Sequence, residues 1–244
     1  EAKDVAEGEV TDISKVFLGV LLGIEDETLR VPPERVEDGM LRIREMLQRR
    51  VVLRKEFESL VGILNHAARC LGTYARLFLR RCWLALAFTH GRWLRNSRGV
   101  KVDLQWWLAH FEESNGVSMM VGDQWRNAKV IDFWTDASGG VGGGFGAVFR
   151  LPDGTLEWFG GAWADYCIDP TLYHISELEL LVYVLACNRW EQWLSGKIMG
   201  HCDNLSCCQV LASCRTSDPG FLVCLRKLFA SQARGGFELR ARWI

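Results

Sequence analysis

"VIDFWTDASGGVGGGFGAVF", Val130–Phe149, decides how the second half of the chain is read. An apolar run ends near Asp136, a glycine-rich stretch follows, and a second apolar run starts at Phe145. Two runs of β-type residues split by glycines read as two strands joined by a turn. A phosphate-binding loop competes with that reading, because "GGGFGA" (Gly142–Ala147) contains GxGxxA. Such a loop must lead from a strand into a helix N-terminus, whose free N–H groups bind phosphate. Here the glycines lead into "AVFRL", a strand, so attention moves to the acid before them, Asp136.

Working outward, Val130–Trp134, Phe145–Arg150 and Thr155–Trp163 read as a three-strand meander with a "PDGT" turn. Ile175–Trp193 reads as a long helix, Lys197–Cys202 as a short strand, and Leu205–Ala212 and Pro219–Ala233 as helices. Phe237–Trp243 alternates apolar and charged residues, as a final strand. The order βββαβααβ predicts an α/β fold with a mixed sheet.

Upstream, "KVFLGVLLGIEDETLRV" reads as two short strands around an acidic turn, Glu25–Glu27. Residues 32–113 read as helical. Val36, Met40, Ile43 and Leu47 mark a first helix, and Phe57, Leu60, Leu64 and Ala67 a second. "YARLFLRRCWLALAFTHGRW" is a third, and "VDLQWWLAHFEE" a fourth with Asp103 as its N-cap. Residues 114–129 form a connection.

With 244 residues, about half of them apolar, the chain can bury one large core or two small ones. Its nine cysteines form no CxxC pair, which predicts reduced core thiols in an intracellular protein, in the cytoplasm or nucleus. No run of about 18 uncharged apolar residues suits a membrane span. The acidic start "EAKDVAEGEV" lacks the basic end of a signal peptide and an initiating Met, as in a fragment. A net charge of −1 hides an asymmetry: residues 41–101 carry 14 basic and 3 acidic side chains, a net +11. That segment, with Arg80, Arg81, Arg92, Arg95 and Arg98, suits a polyanion, although solvated helix faces would look alike.

Three acids occupy related positions. Asp136 ends the first strand of the meander, Glu179 lies near the start of the long helix, and Asp203 follows the fourth strand. If that strand lies parallel beside the first, the three carboxylates meet at one sheet edge. Clustered acids repel one another unless a cation intervenes, and oxygen-rich sites suit Mg²⁺. Two such ions serve the in-line hydrolysis of phosphodiesters. Each acid also has a plainer role. "SELE" (Ser176–Glu179) fits a capping box with Ser176 as N-cap, Asp203 or Asn204 could cap a helix, and Asp136 could be a turn acid.

"TDAS…GGFGAVF", "HISELELLVYVLA" and "HCDN" resemble, in this order, the ribonuclease H domain of retroelement polyproteins. The resemblance is nearest to the reverse transcriptase–RNase H region of DIRS-type, tyrosine-recombinase retrotransposons. It extends upstream: "FLGVLLG" (Phe17–Gly23) resembles the last palm strand, and "LRKEFESLVGILNHAAR" and "VDLQWWLAHF" the thumb and connection. The resemblance implies an RNase H-like domain over 128–244, a basic thumb/connection over 32–127, and the end of a palm over 1–31. It implies cleavage of the RNA strand of an RNA–DNA hybrid by two Mg²⁺ ions, with Mn²⁺ as a substitute. Asp136, Glu179 and Asp203 would be the catalytic metal ligands, Asp136 bridging the ions and Glu179 also sensing the 2′-OH. Glu179 is preferred to Glu177 because a small residue, Ala186, stands seven positions on. Ser138, Gly139 and Asn204 would contact the nucleic acid, and Arg80 and Arg81 its phosphates. The family's fourth carboxylate and the polymerase aspartates are not found in the chain, so impaired cleavage is expected. The alternatives are a non-catalytic nucleic-acid-binding module of the same fold and an unrelated α/β protein.

Overall fold

The computed structural model describes residues 14–24, 27–118, 125, 128–151 and 153–244. The chain divides into two compact units, Glu1–Val121 and Gly122–Ile244.

In the first unit, strands β1 (Ser14–Phe17), β2 (Val20–Gly23), β3 (Thr28–Arg30) and β6 (Val117–Ser118) form an antiparallel sheet in that order. Two strands were expected here. A third arises because Leu18 and Gly19 both take left-handed backbone angles (φ 48° and 78°), which reverses the chain inside "FLGV". Of the expected acidic turn, Glu25 and Asp26 lie outside the described residues, and Glu27 has φ 51°.

Helix α1 (Pro33–Gln48) begins at a proline, whose missing N–H is no loss in a first turn. It buries Val36, Gly39, Ile43 and Met46, so its inner face is rotated from the expected stripe. Phe111 explains the shift: a Cβ on Gly39 would lie 2.7 Å from its Cε1. Helix α2 (Arg54–Ala67) buries Phe57, Leu60, Leu64 and Ala67 as expected. The expected third helix is split into 3-10 turns over Thr73–Leu79 and a helix α3 (Arg80–Phe88). Its tail, "GRW", runs into strand β5 (Trp93–Arg95), which pairs with β4 (Val51–Leu53). Helix α4 (Arg98–His110) starts six residues, nearly two turns, earlier than expected. Ser97 is its N-cap, with Oγ accepting the Val100 N–H at 3.4 Å. Asp103 is therefore not a cap: it is fully buried and ion-paired with Arg81 at 3.2 Å.

The second unit carries the expected βββαβααβ order of an α/β fold with a mixed sheet. Strands β7 (Val130–Ala137), β8 (Gly144–Arg150) and β9 (Leu156–Ala162) form the antiparallel meander. Helix α5 (Ile175–Arg189) leads to β10 (Gly196–Cys202), which lies parallel to β7. Helices α6 (Leu205–Ser213) and α7 (Pro219–Gly235) precede β11 (Phe237–Trp243), parallel to β10. The sheet order is β11-β10-β7-β8-β9.

Alternation along the strands buries Phe133 and Thr135 of β7, Phe145, Ala147 and Phe149 of β8, and Ile198 and Gly200 of β10. Phe133 meets Tyr183 of α5 at 5.2 Å between ring centroids, and Phe149 stacks on Trp190 at 5.0 Å. Fully burying an aromatic of this size contributes about 1.5–3 kcal/mol, so these rings fix where α5 lies. Gly200 lets the helix approach closely: a Cβ there would sit 2.3 Å from Tyr183 Cε1. That approach sets the start of α5 against the end of β7, where the acids are.

Candidate active site

Asp136 is the penultimate residue of β7. It is exposed and lies opposite Gly146 in β8. Asp203 follows directly on β10. The β7–β10 register aligns His201 with Trp134, and its continuation brings Asp203 level with Asp136. Glu179 arrives from α5, one turn before Tyr183. Its side chain is 2% exposed, and its Oε1 accepts the Ala137 N–H at 3.1 Å. The two strand ends and the helix thus bring the three acids to one sheet edge, as the sequence predicts.

The capping-box reading of Glu179 is removed. The N-cap of α5 is His174, whose ring accepts the Ser176 N–H, and Glu177 bonds back to the His174 N–H at 3.0 Å. Ser176 instead accepts the Asn204 amide at 3.0 Å. Glu179 is left with no capping duty, buried beside two other acids.

Burial pushes the Glu179 carboxyl up to about 8, and the charges of Cys202, Asp136 and Asp203 push the same way. Only the Ala137 N–H opposes them. Without a cation, the folded protein therefore holds this proton more tightly than the unfolded chain does. Stability should fall as pH rises from the ordinary carboxylate value, 4.5, to about 8, with the full cost present above that. Glu179→Gln is expected to flatten this dependence and to raise the metal-free melting temperature near pH 9, by an amount worth up to a few kcal/mol. Melting curves in EDTA across that range check it; unchanged pH dependence in the variant would contradict it.

Cys202 was not anticipated as part of the site. Glu179, Cys202 and Asp203 form one group whose ligand atoms all lie within 4.8 Å of one another, and Asp136 is not in it. Cys202 Sγ is 3.9 Å from Glu179 Oε2 and accepts the Asn204 N–H at 3.2 Å. A hydrogen bond from Cys207 lowers its pKa, with help from that N–H. The carboxylates of Asp136, Glu179 and Asp203 are hard oxygen donors and fit Mg²⁺, whereas the Cys202 sulfur does not. The burial of the Glu179 carboxyl beside other acids is the strongest sign of fit, since a dication would offset their repulsion.

The expected nucleic-acid contacts are placed as follows. Ser138 closes the glycine turn: its N–H donates to Gly144 O at 2.8 Å, and its Oγ accepts the Gly144 N–H at 2.9 Å. Gly139 is exposed beside it. Gly140 and Gly142 need left-handed angles (φ 79° and 78°), and the turn runs into β8, so no helix N-terminus stands ready for a phosphate. Asn204 caps α6, its Oδ1 accepting the Cys207 N–H at 3.0 Å. Arg80 and Arg81 belong to the first unit. Arg81, expected to face a phosphate, pairs with buried Asp103 at 3.2 Å. Arg80 Nε is itself buried without a hydrogen-bond partner among the described residues. All nine cysteines are free, and seven are buried. Among the described residues no helix is long and apolar enough to cross a membrane.

No protein-family model and no curated protein matches the chain. Among solved structures, RNase H1 of the halophilic archaeon Halobacterium salinarum is similar at 13% identity and a TM-score of 0.38, covering 47% of this chain and 86% of that one. An N-terminal RNase H domain from Mycobacterium tuberculosis, solved as a fusion with maltose-binding protein, is similar at 14% identity and 0.38, covering 48% and 87%. The foamy viral protease–reverse transcriptase in complex with an RNA/DNA hybrid is similar at 11% identity and 0.38. That alignment covers 94% of this chain but 29% of the viral one.

Proposed function

We propose that the chain is a reverse transcriptase–RNase H segment of a DIRS-type retroelement polyprotein, and that its second unit cuts the RNA strand of RNA–DNA hybrids. Residues 1–31 would be the end of a palm, 32–127 a thumb and connection, and 128–244 the nuclease. The observation that carries the reading is the meeting of Asp136, Glu179 and Asp203 at one sheet edge, with Glu179 buried and free of capping.

Asp136 and Asp203 are exposed and would hold the metal where a bulky duplex can reach it. Glu179 would hold it from beneath, oriented by the Ala137 N–H. Mg²⁺, when bound, lowers the pKa of a coordinated water and neutralises the charge of the scissile phosphate. Gly146, opposite Asp136, leaves the open side of the sheet bare: a Cβ there would meet nothing nearer than 4.0 Å. Packing does not demand a glycine at that position, and a strand glycine weakens the sheet, so access beside Asp136 is a reason for it.

Incubation of residues 1–244 with an end-labelled hybrid and Mg²⁺ tests the proposal. The expected result is slow cutting of the RNA strand alone, none in EDTA, and none of duplex DNA. Binding of the hybrid without cutting at any Mg²⁺ or Mn²⁺ concentration would favour the non-catalytic module instead.

A further inference from the structure

The cations of the first unit are not spread evenly. The ladder between β4 and β5 pairs Val51 with Arg95, Val52 with Leu94 and Leu53 with Trp93. Backbone bonds from Asn96 to Arg50 (3.0 Å) and from Arg54 to Arg92 (2.9 Å) extend it at both ends. Val52 and Leu94 point inward, each 1% exposed. The opposite face shows Val51, Trp93 and Arg95 to solvent, with Trp93 58% exposed. This small ribbon is fixed: the Asn96 amide donates to Met46 O at 2.7 Å and Arg49 O at 3.2 Å, pinning it to the end of α1.

The surrounding charges are one-sided. Glu56 and Glu58, the acids at the start of α2, are taken by Arg49 (3.1 Å) and Arg54 (2.7 Å). Arg50, Arg92, Arg95 and Arg98 are exposed and have no acidic side chain within ion-pair reach among the described residues. The Arg92 guanidinium lies over the Trp93 ring, 5.9 Å from its centroid. An isolated exposed tryptophan would need no explanation. A tryptophan on a rigid ribbon, flanked by unpaired arginines, has the two parts of a single-strand binding surface: a ring for a base and cations for phosphates.

We propose that the outer face of the β4–β5 ribbon binds single-stranded nucleic acid, with a base stacked on Trp93 and phosphates held by Arg50, Arg92 and Arg95. The partner class rests on the reading of the chain as a nucleic-acid enzyme, but the surface lies in the other unit and needs no metal. This moves the expected phosphate contacts away from Arg80 and Arg81.

Titration of a fluorescent oligo(dT) with residues 1–244 in EDTA tests it, and the result does not depend on whether the chain cuts hybrids. Trp93→Ala is expected to weaken binding on the order of 10-fold, whereas Trp93→Phe, which keeps a stacking ring, should bind much as the parent does. Arg92→Ala and Arg95→Ala should each lower the slope of log affinity against log salt by about 0.7. If Trp93→Ala melts early, the Phe variant and the two arginine variants decide. Parent-like affinity and salt slope in both arginine variants would overturn the proposal. So would failure of the parent chain to bind at low salt, which would leave the face to a protein partner.

Discussion

Asp136→Asn is expected to abolish hybrid cleavage, by more than about 100-fold, without lowering stability. The first part follows from its position: it offers an exposed carboxylate beside Glu179, level with Asp203. Losing even the partner of a metal ligand costs about 10–100-fold, so losing a ligand should cost more. The second part follows from electrostatics. Asp136 repels Glu179 and contributes to holding its pKa up. An uncharged amide of the same shape removes that repulsion, so the metal-free melting temperature should stay level or rise slightly. A variant that melted early would mean the loss of activity reports unfolding. A variant that cut within about threefold of the parent rate would remove Asp136 from the site.

Arg81→Ala should produce the largest loss of stability among the charged positions. Asp103 is fully buried in α4, and Arg81 reaches it from α3 at 3.2 Å while also meeting Gly99 O at 3.5 Å. Removing one partner of a buried pair costs roughly 3–5 kcal/mol when nothing else offsets the remaining charge, and Asp103 keeps further contacts. Arg81 is itself 37% exposed along its side chain, which puts the expectation at the lower end, about 3 kcal/mol. For a unit of this size that corresponds to roughly a 10 °C drop in melting temperature. Thermal unfolding followed by circular dichroism measures it. A variant that melts with the parent but loses affinity for nucleic acid would restore Arg81 to the phosphate-binding role its surroundings in the sequence suggest.

The order of elements in the second unit could be read from the chain because each signal was local. Strand alternation, the glycine turn and the helix periods all lie within a few residues of one another. The meeting of the three acids could be read as well, since a parallel fourth strand forces Asp203 alongside Asp136. What could not be read depended on distant partners or on close rivals. Asp103 and Ser97 are both good N-caps, and only the burial of Asp103 against Arg81, 22 residues away, decides between them. "SELE" is a better capping box on paper than His174 with Glu177, yet the N-cap lies two residues earlier, at His174, and frees Glu179. Cys202 reads as one more core thiol. Its place beside Glu179 follows from Gly200, which lets α5 settle close over β10. The β4–β5 ribbon has three residues in each strand, too few for alternation to show.

The central claim is that Asp136, Glu179 and Asp203 together hold a divalent metal. Anomalous diffraction from crystals of residues 1–244 soaked in Mn²⁺ tests it most directly. The predicted result is a peak bounded by the three carboxylates, absent when Asp136 is replaced by Asn. No peak at that sheet edge, or one that persists unchanged in the variant, would contradict it.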